Sequence, residues 1–210
     1  MTTPPETEPE QRYLRALGHT VDNRVASLQR RYLANTSESR ALLAQLRHAV
    51  TKAPGADPAV WEITVGNLPG TTPTSDDPTR AERAPHTALT LYATHQQSRT
   101  EPMHAAGVGL GTAVRRLGLA SGAEEAVRRR FDAAATATSF AETVHHLRGL
   151  VTQLRSARIG LDYGRLADDL DQLQQPGGPD KVRLRWARQY YRTQQSTSTS
   201  ESSTTAEEAR

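Results

Sequence analysis

The sequence predicts an all-α protein, a helical bundle of about eight helices in two sub-bundles, with disordered N- and C-terminal tails. Three observations carry that prediction. Alanine, leucine and arginine are abundant while valine, isoleucine and aromatic residues are scarce, which favours helix over sheet. Apolar residues recur at steps of three and four along most of the chain. The two ends, MTTPPETEPE and QQSTSTSESSTTAEEAR, hold almost no large apolar side chain and cannot offset their own ordering entropy. The expected division is a disordered segment 1–12, an N-terminal bundle over 13–120, a C-terminal bundle over 121–193, and a disordered tail 194–210.

The elements follow in order. Val21, Val25, Leu28 and Tyr32 share one helical face, and Leu42, Leu43, Leu46 and Val50 repeat the pattern after Asn35–Ser37, a polar cluster that can cap a helix start. Pro54, Gly55 and Pro58 end that second helix, and a short helix is expected over 58–65. Residues 67–85, with four prolines, a glycine and Asp76-Asp77, read as a long loop, a length that is usually functional or mobile. A helix over 85–98 turns Leu89, Tyr92 and Ala93 inward. After the GVGLG turn at 107–111, a short helix presents Leu110, Val114 and Leu117 to the core. Four more helices are expected over 123–135, 139–158, 163–174 and 180–193. The second of these is the clearest, with Phe140, Val144, Leu147, Val151 and Leu154 in register and Gly160 as its stop.

Charge narrows the function. The chain carries +3 in total, but residues 1–10 contribute three glutamates and residues 194–210 a net −2, so the predicted folded part is +8. Such a body attracts polyanions. All but two of the 26 basic residues are arginine, whose planar fork suits phosphate; a GC-rich genome gives the same bias. There is no cysteine, which excludes disulfides, thiolate catalysis and cysteine-based zinc sites. No signal pattern and no run of about 18 apolar residues occurs, so a soluble cytoplasmic protein without membrane contact is expected.

Candidate catalytic groups are sparse. His19, His48, His86, His95, His104, His145 and His146 form no HExxH-like spacing, so no metal and no cofactor are predicted. Gly107-x-Gly109-x-Gly111 lacks the Lys-Ser/Thr of a P-loop and reads as a tight turn opening a helix, whose free N–H groups could meet a phosphate. Asp168, Asp169 and Asp171 read as a solvated face or as arginine partners, and Trp61 and Trp186 as core or interface anchors.

The arginines are the candidate site. Arg148 and Arg155 are seven residues apart, nearly two turns, and so are Arg40 and Arg47; Arg185, Arg188 and Arg192 are spaced by three and four; Arg115 and Arg116 are adjacent. Each stripe alone is an ordinary solvated helix face, but several on one basic body point to a phosphate track. That pattern gives binding without base reading, and no sequence-reading motif accompanies it.

The order of His95-Gln96-Gln97-Ser98, Met103-His104, GVGLG, Ala113-Val114-Arg115-Arg116-Leu117, Arg130-Phe131, His146-Leu147-Arg148-Gly149-Leu150-Val151, Leu161-Asp162-Tyr163, Leu166–Leu170 and Val182-Arg183 through Tyr191 resembles the CasB family. That family provides the small subunit of the type I-E CRISPR surveillance complex, Cascade. The likeness spans about residues 20–193, with Leu43–Val50, Pro54 and Trp61 in its N-terminal part. The chain departs from the family at Gly109, where serine is usual, at Thr112, where arginine is often seen, and at Leu173-Gln174, near which the family often has tryptophan. Thr112 weakens any claim that this turn supplies a basic contact.

The resemblance implies a helical, non-enzymatic subunit. Two copies would sit beside the backbone and large subunits of Cascade, helping to hold guide RNA–target DNA open and touching the displaced strand. By position it points to Arg47 and Arg148 as basic contacts, with Arg115 and Arg116 as companions. Arg40, Arg155, Arg185, Arg188 and Arg192 come from helical spacing alone. The alternative reading is a free-standing helical adaptor or non-specific DNA-binding regulator.

Overall fold

The structure is a computed structural model that describes residues 12–70 and 75–207, with side chains to residue 192. Its helices are α1 (Ala16–Leu33), α2 (Ser37–Ala49), α3 (Trp61–Thr64, preceded by a 3-10 turn Pro58–Val60), α4 (Arg80–Gln96), α5 (Leu110–Ser121), α6 (Glu124–Thr136), α7 (Phe140–Ala157), α8 (Tyr163–Leu173) and α9 (Gly178–Glu207). Among the described residues the extended pairing is a single parallel bridge, His104 to Leu161. No described helix is long and apolar enough to cross a membrane. The all-α prediction holds.

Local chemistry explains the helix ends. Thr36, Ser139 and Asp162 each accept a backbone N–H from the first turn of the helix they precede, α2, α7 and α8. α4 starts five residues earlier than the periodicity predicts. Thr79 and Glu82 form a reciprocal capping box, with Thr79 N–H donating to Glu82 Oε2 at 2.7 Å, so 80–85 is helix and not loop. Pro85 therefore lies inside α4, where it has no N–H for the carbonyl four residues back. The backbone of α9 stays helical through Glu207, past the stop expected at 193, although its last described core side chain is Tyr190. Residues 1–11 and 208–210 of the expected tails lie outside the described residues. Arg12, placed in the N-terminal tail by composition, is instead held between two carboxylates, Asp22 and Asp162.

Packing joins early and late helices. α1 lies on α8 and α4; α4 lies on α2, α7 and α8; α5 lies on α9, α6 and α7; α8 also meets α9. One continuous core runs from Leu17 through Tyr92, Leu147 and Trp186 to Tyr190. Each fully buried leucine in it, such as Leu28, Leu43 or Leu89, contributes about 2 kcal/mol.

α5 and α9 approach closely because Gly111 has no side chain: a Cβ there would sit 2.1 Å from the Trp186 carbonyl oxygen. The GVGLG turn is thus a packing device. Gly111 N–H donates to Gln189 Oε1 at 3.1 Å and Gly107 N–H to Asp162 Oδ2 at 2.7 Å, so these donors face the protein's own side chains and not a phosphate.

Gln96 fixes the adjoining segment. It accepts Met103 N–H at 3.0 Å and donates to the carbonyls of Arg99 (3.1 Å) and Glu101 (3.0 Å).

Candidate nucleic-acid interface

The predicted arginines fall into separate groups. Arg47 on α2 lies within electrostatic reach of Arg155 on α7, which sits beside the end of α4. Partial burial lowers the proton affinity of Arg47, and the charge of Arg155 adds to this. Arg155 donates to Gln97 Oε1 at 3.0 Å and reaches the Thr94 carbonyl at 3.5 Å. Arg148 is exposed two turns earlier on α7 and Arg40 is exposed two turns earlier on α2, where it donates to the Asn35 carbonyl at 3.0 Å. None of these four forms an ion pair with a described residue.

Arg99 and Arg158, which periodicity missed, join this group around one carboxylate, Glu101, at 4.0 and 3.5 Å. The buried His95 beneath records the field: burial first, then the charges of Arg155 and Arg99, push its pKa down to about 4. His95 Nδ1 meets the Tyr163 hydroxyl at 2.9 Å, so it serves the core as a neutral ring.

Arg115 does not join a surface track. It is paired with Glu124 on α6 and lies 5.7 Å over the Tyr190 ring. Its neighbour Arg116 is exposed on α5.

The third group lines a cleft of about 500 Å³ where α9 passes the N-terminal ends of α1 and α8. Its cations are Arg15, Arg165, Lys181, Arg185, Arg188 and Arg192. Arg185 is neutralised there by Asp169, and its second nitrogen donates to Gln172 Oε1 at 2.5 Å. Asp168 and Asp169 form part of the lining, each with internal partners. Asp168 accepts the backbone N–H groups of Arg15 (2.7 Å) and Gly18 (2.8 Å), which caps α1 from a neighbouring helix. Asp169 accepts Trp186 Nε1–H at 2.7 Å. Arg15, Arg165 and Lys181 carried no sequence signal, because they come together only when the start of α1, α8 and α9 pack.

One cluster has the residue types of a metal site: Asp22, His104 and Asp162. Its charges are already engaged. Arg12 bridges Asp22 and Asp162, and Asp162 also accepts from Gly107 and from Arg165 N–H at 3.0 Å. His104 Nδ1 accepts Tyr163 N–H at 3.2 Å, which leaves Nε2 to donate to Asp22 at 2.9 Å. A guanidinium stands where an ion would have to sit.

Fold and surface together define a helical protein whose basic side chains stand outward on α2, α7 and α9 over a single apolar core. The chain belongs to the Cse2 family of CRISPR-associated proteins: the family model for CRISPR-associated protein Cse2 matches residues 42–191. The crystal structure of CasB from Thermobifida fusca is similar at 38% identity and a TM-score of 0.71, covering 85% of this chain and 99% of that one. A CRISPR-associated protein of the Cse2 family from Thermus thermophilus is similar at 25% identity and a TM-score of 0.63, covering 84% and 99%. CasB from M. ruber, at 23% identity and a TM-score of 0.57 over 84% and 97%, shares the fold. Among curated proteins nothing matches the chain.

Proposed function

We propose that this chain is the non-catalytic small subunit of a type I-E Cascade complex in cytoplasmic antiviral defence. In this reading two copies lie beside the backbone and large subunits, bind nucleic-acid backbone, and stabilise the R-loop formed by the guide RNA–target DNA duplex and the displaced strand. Family membership supports the assembly. The observation that carries the binding role is the group on α2 and α7: Arg40, Arg47, Arg148 and Arg155 project from packed helices without an ion-pair partner among the described residues. Exchange between DNA duplex and RNA–DNA hybrid is near balance, so a few phosphate contacts decide its direction. Such contacts are individually weak and salt-sensitive, and they need no catalytic group.

The test is Arg47→Glu and Arg148→Glu in the reconstituted complex. R-loop lifetime should fall about tenfold, equivalent to roughly 1.4 kcal/mol, and the fall should shrink at high salt. Native mass should still show two copies. Unchanged lifetimes with the subunit present would refute the role.

A further inference from the structure

We propose that the cleft between the N-terminal ends of α1 and α8 and the side of α9 holds one nucleotide of a single strand, its phosphate on Arg15, Lys181 and Arg188 and its base against Tyr13 and Leu184. This deepens the nucleic-acid reading above and rests on it.

The cleft differs in kind from the α2–α7 group. It is concave, and its volume of about 500 Å³ suits a small-ligand cleft and not a duplex. Its lining includes Tyr13, 79% exposed, and Leu184, 51% exposed, so an aromatic ring and an aliphatic side chain border a cation-lined hollow with little of their surface used by the fold. Every base has a face that stacks on such a ring, whereas a duplex keeps its bases stacked on each other. Arg188 and Lys181 are exposed, and neither forms an ion pair with a described residue.

The two acids do not spoil the site. Asp168 is tied to the Arg15 and Gly18 N–H groups and Asp169 to Trp186 and Arg185, and both are nearly buried at 8% and 2% exposure. The cleft therefore offers fork-shaped donors for phosphate beside an apolar shelf for a base.

A decathymidylate and a ten-unit abasic strand carry equal charge but only one has bases. Their affinities for the full chain can be compared by fluorescence anisotropy. The decathymidylate should bind at least about fivefold tighter. Tyr13→Ala, at an exposed position, should erase that preference while leaving the abasic strand's affinity unchanged. Lys181→Gln and Arg188→Gln should each weaken both strands and flatten the dependence of log affinity on log salt by about 0.7.

Equal affinity of the two strands for the unaltered chain would overturn the proposal, as would a Tyr13→Ala that weakens both alike. Thymidine monophosphate competing as well as the decathymidylate would overturn the strand assignment in favour of a free nucleotide. These readouts need no assembled complex. A failed base preference therefore leaves the R-loop role standing, and unchanged R-loop lifetimes in the Arg47 and Arg148 variants leave the cleft standing.

Discussion

Asp169 and Asp162 are both buried carboxylates, and their surroundings drive them in opposite directions. Burial pushes Asp169 up to about 6, only partly opposed by Arg185 and the Trp186 N–H. A carboxyl raised in the folded state favours folding while protonated, so stability from this group falls as pH rises from about 4 through 6. Asp169→Asn keeps an acceptor for Trp186, and Arg185 can turn to solvent. The variant should flatten the melting temperature between pH 4 and 7, as followed by circular dichroism; an unchanged slope would assign that titration elsewhere. For Asp162, burial also pushes upward, but the Arg12 guanidinium and the N–H groups of Arg165 and Gly107 outweigh it, and the net shift is downward. Its stabilisation is therefore complete above the ordinary carboxylate range and is lost as pH falls through the depressed value. Arg12→Ala leaves that charge buried without its counterion and should cost about 3 kcal/mol at pH 7 in urea unfolding; a loss below about 1 kcal/mol would contradict the account. Nothing local in the sequence marks Arg12 as ordered, because its partners lie 10 and 150 residues away.

Helices are legible where their signals are local. The three-and-four spacing of Phe140–Leu154 places α7 to within a residue at each end, and the Val21–Tyr32 stripe lies within α1, since one buried stripe per helix writes itself into the sequence. Periodicity misplaces the start of α4 because Pro85 reads as a first-turn residue, whereas the local signal that sets the boundary is the capping pattern Thr79-x-x-Glu82. The role of Gly111 is illegible in principle: its need for a missing Cβ is set by Trp186 on another helix. Two glycine substitutions separate these cases. Gly111→Ala pushes a methyl into the α9 backbone and should cost about 3 kcal/mol. Gly149→Ala, in the middle of α7 with nothing within 4 Å of its would-be Cβ, should stabilise by roughly 0.5–1 kcal/mol. Thermal unfolding of the pair tests both signs; equal effects would deny the close α5–α9 contact its importance.

Across the whole molecule, the sequence shows which faces are basic but not which cations the fold consumes. Arg115 and Arg185 sit on regular stripes, yet Glu124 and Asp169 take them from neighbouring helices. Apart from Arg116 on α5, the rest divide between the α2–α7 group and the cleft on α9; α4 packs on α2, α7 and α8. Two separate patches make a quantitative prediction for a strand long enough to reach both, such as a strand of about 40 nucleotides. Arg47→Gln with Arg148→Gln, and Lys181→Gln with Arg188→Gln, should each flatten the salt dependence of log affinity by about 1.4, and all four together by about 2.8. The free-energy losses of the two pairs should add to within about 0.5 kcal/mol, because the patches share no side chain and no partner. Patches that instead grip the same few phosphates would couple, and the four-fold variant would then lose much less than the sum. A strand of ten nucleotides, too short to reach both patches, is held mainly by the cleft: the Lys181 and Arg188 pair should weaken it, and the Arg47 and Arg148 pair should leave it little changed. Agreement of both lengths with this scheme would make the basic surface two stations on one strand; a short strand weakened equally by both pairs would make it a single track.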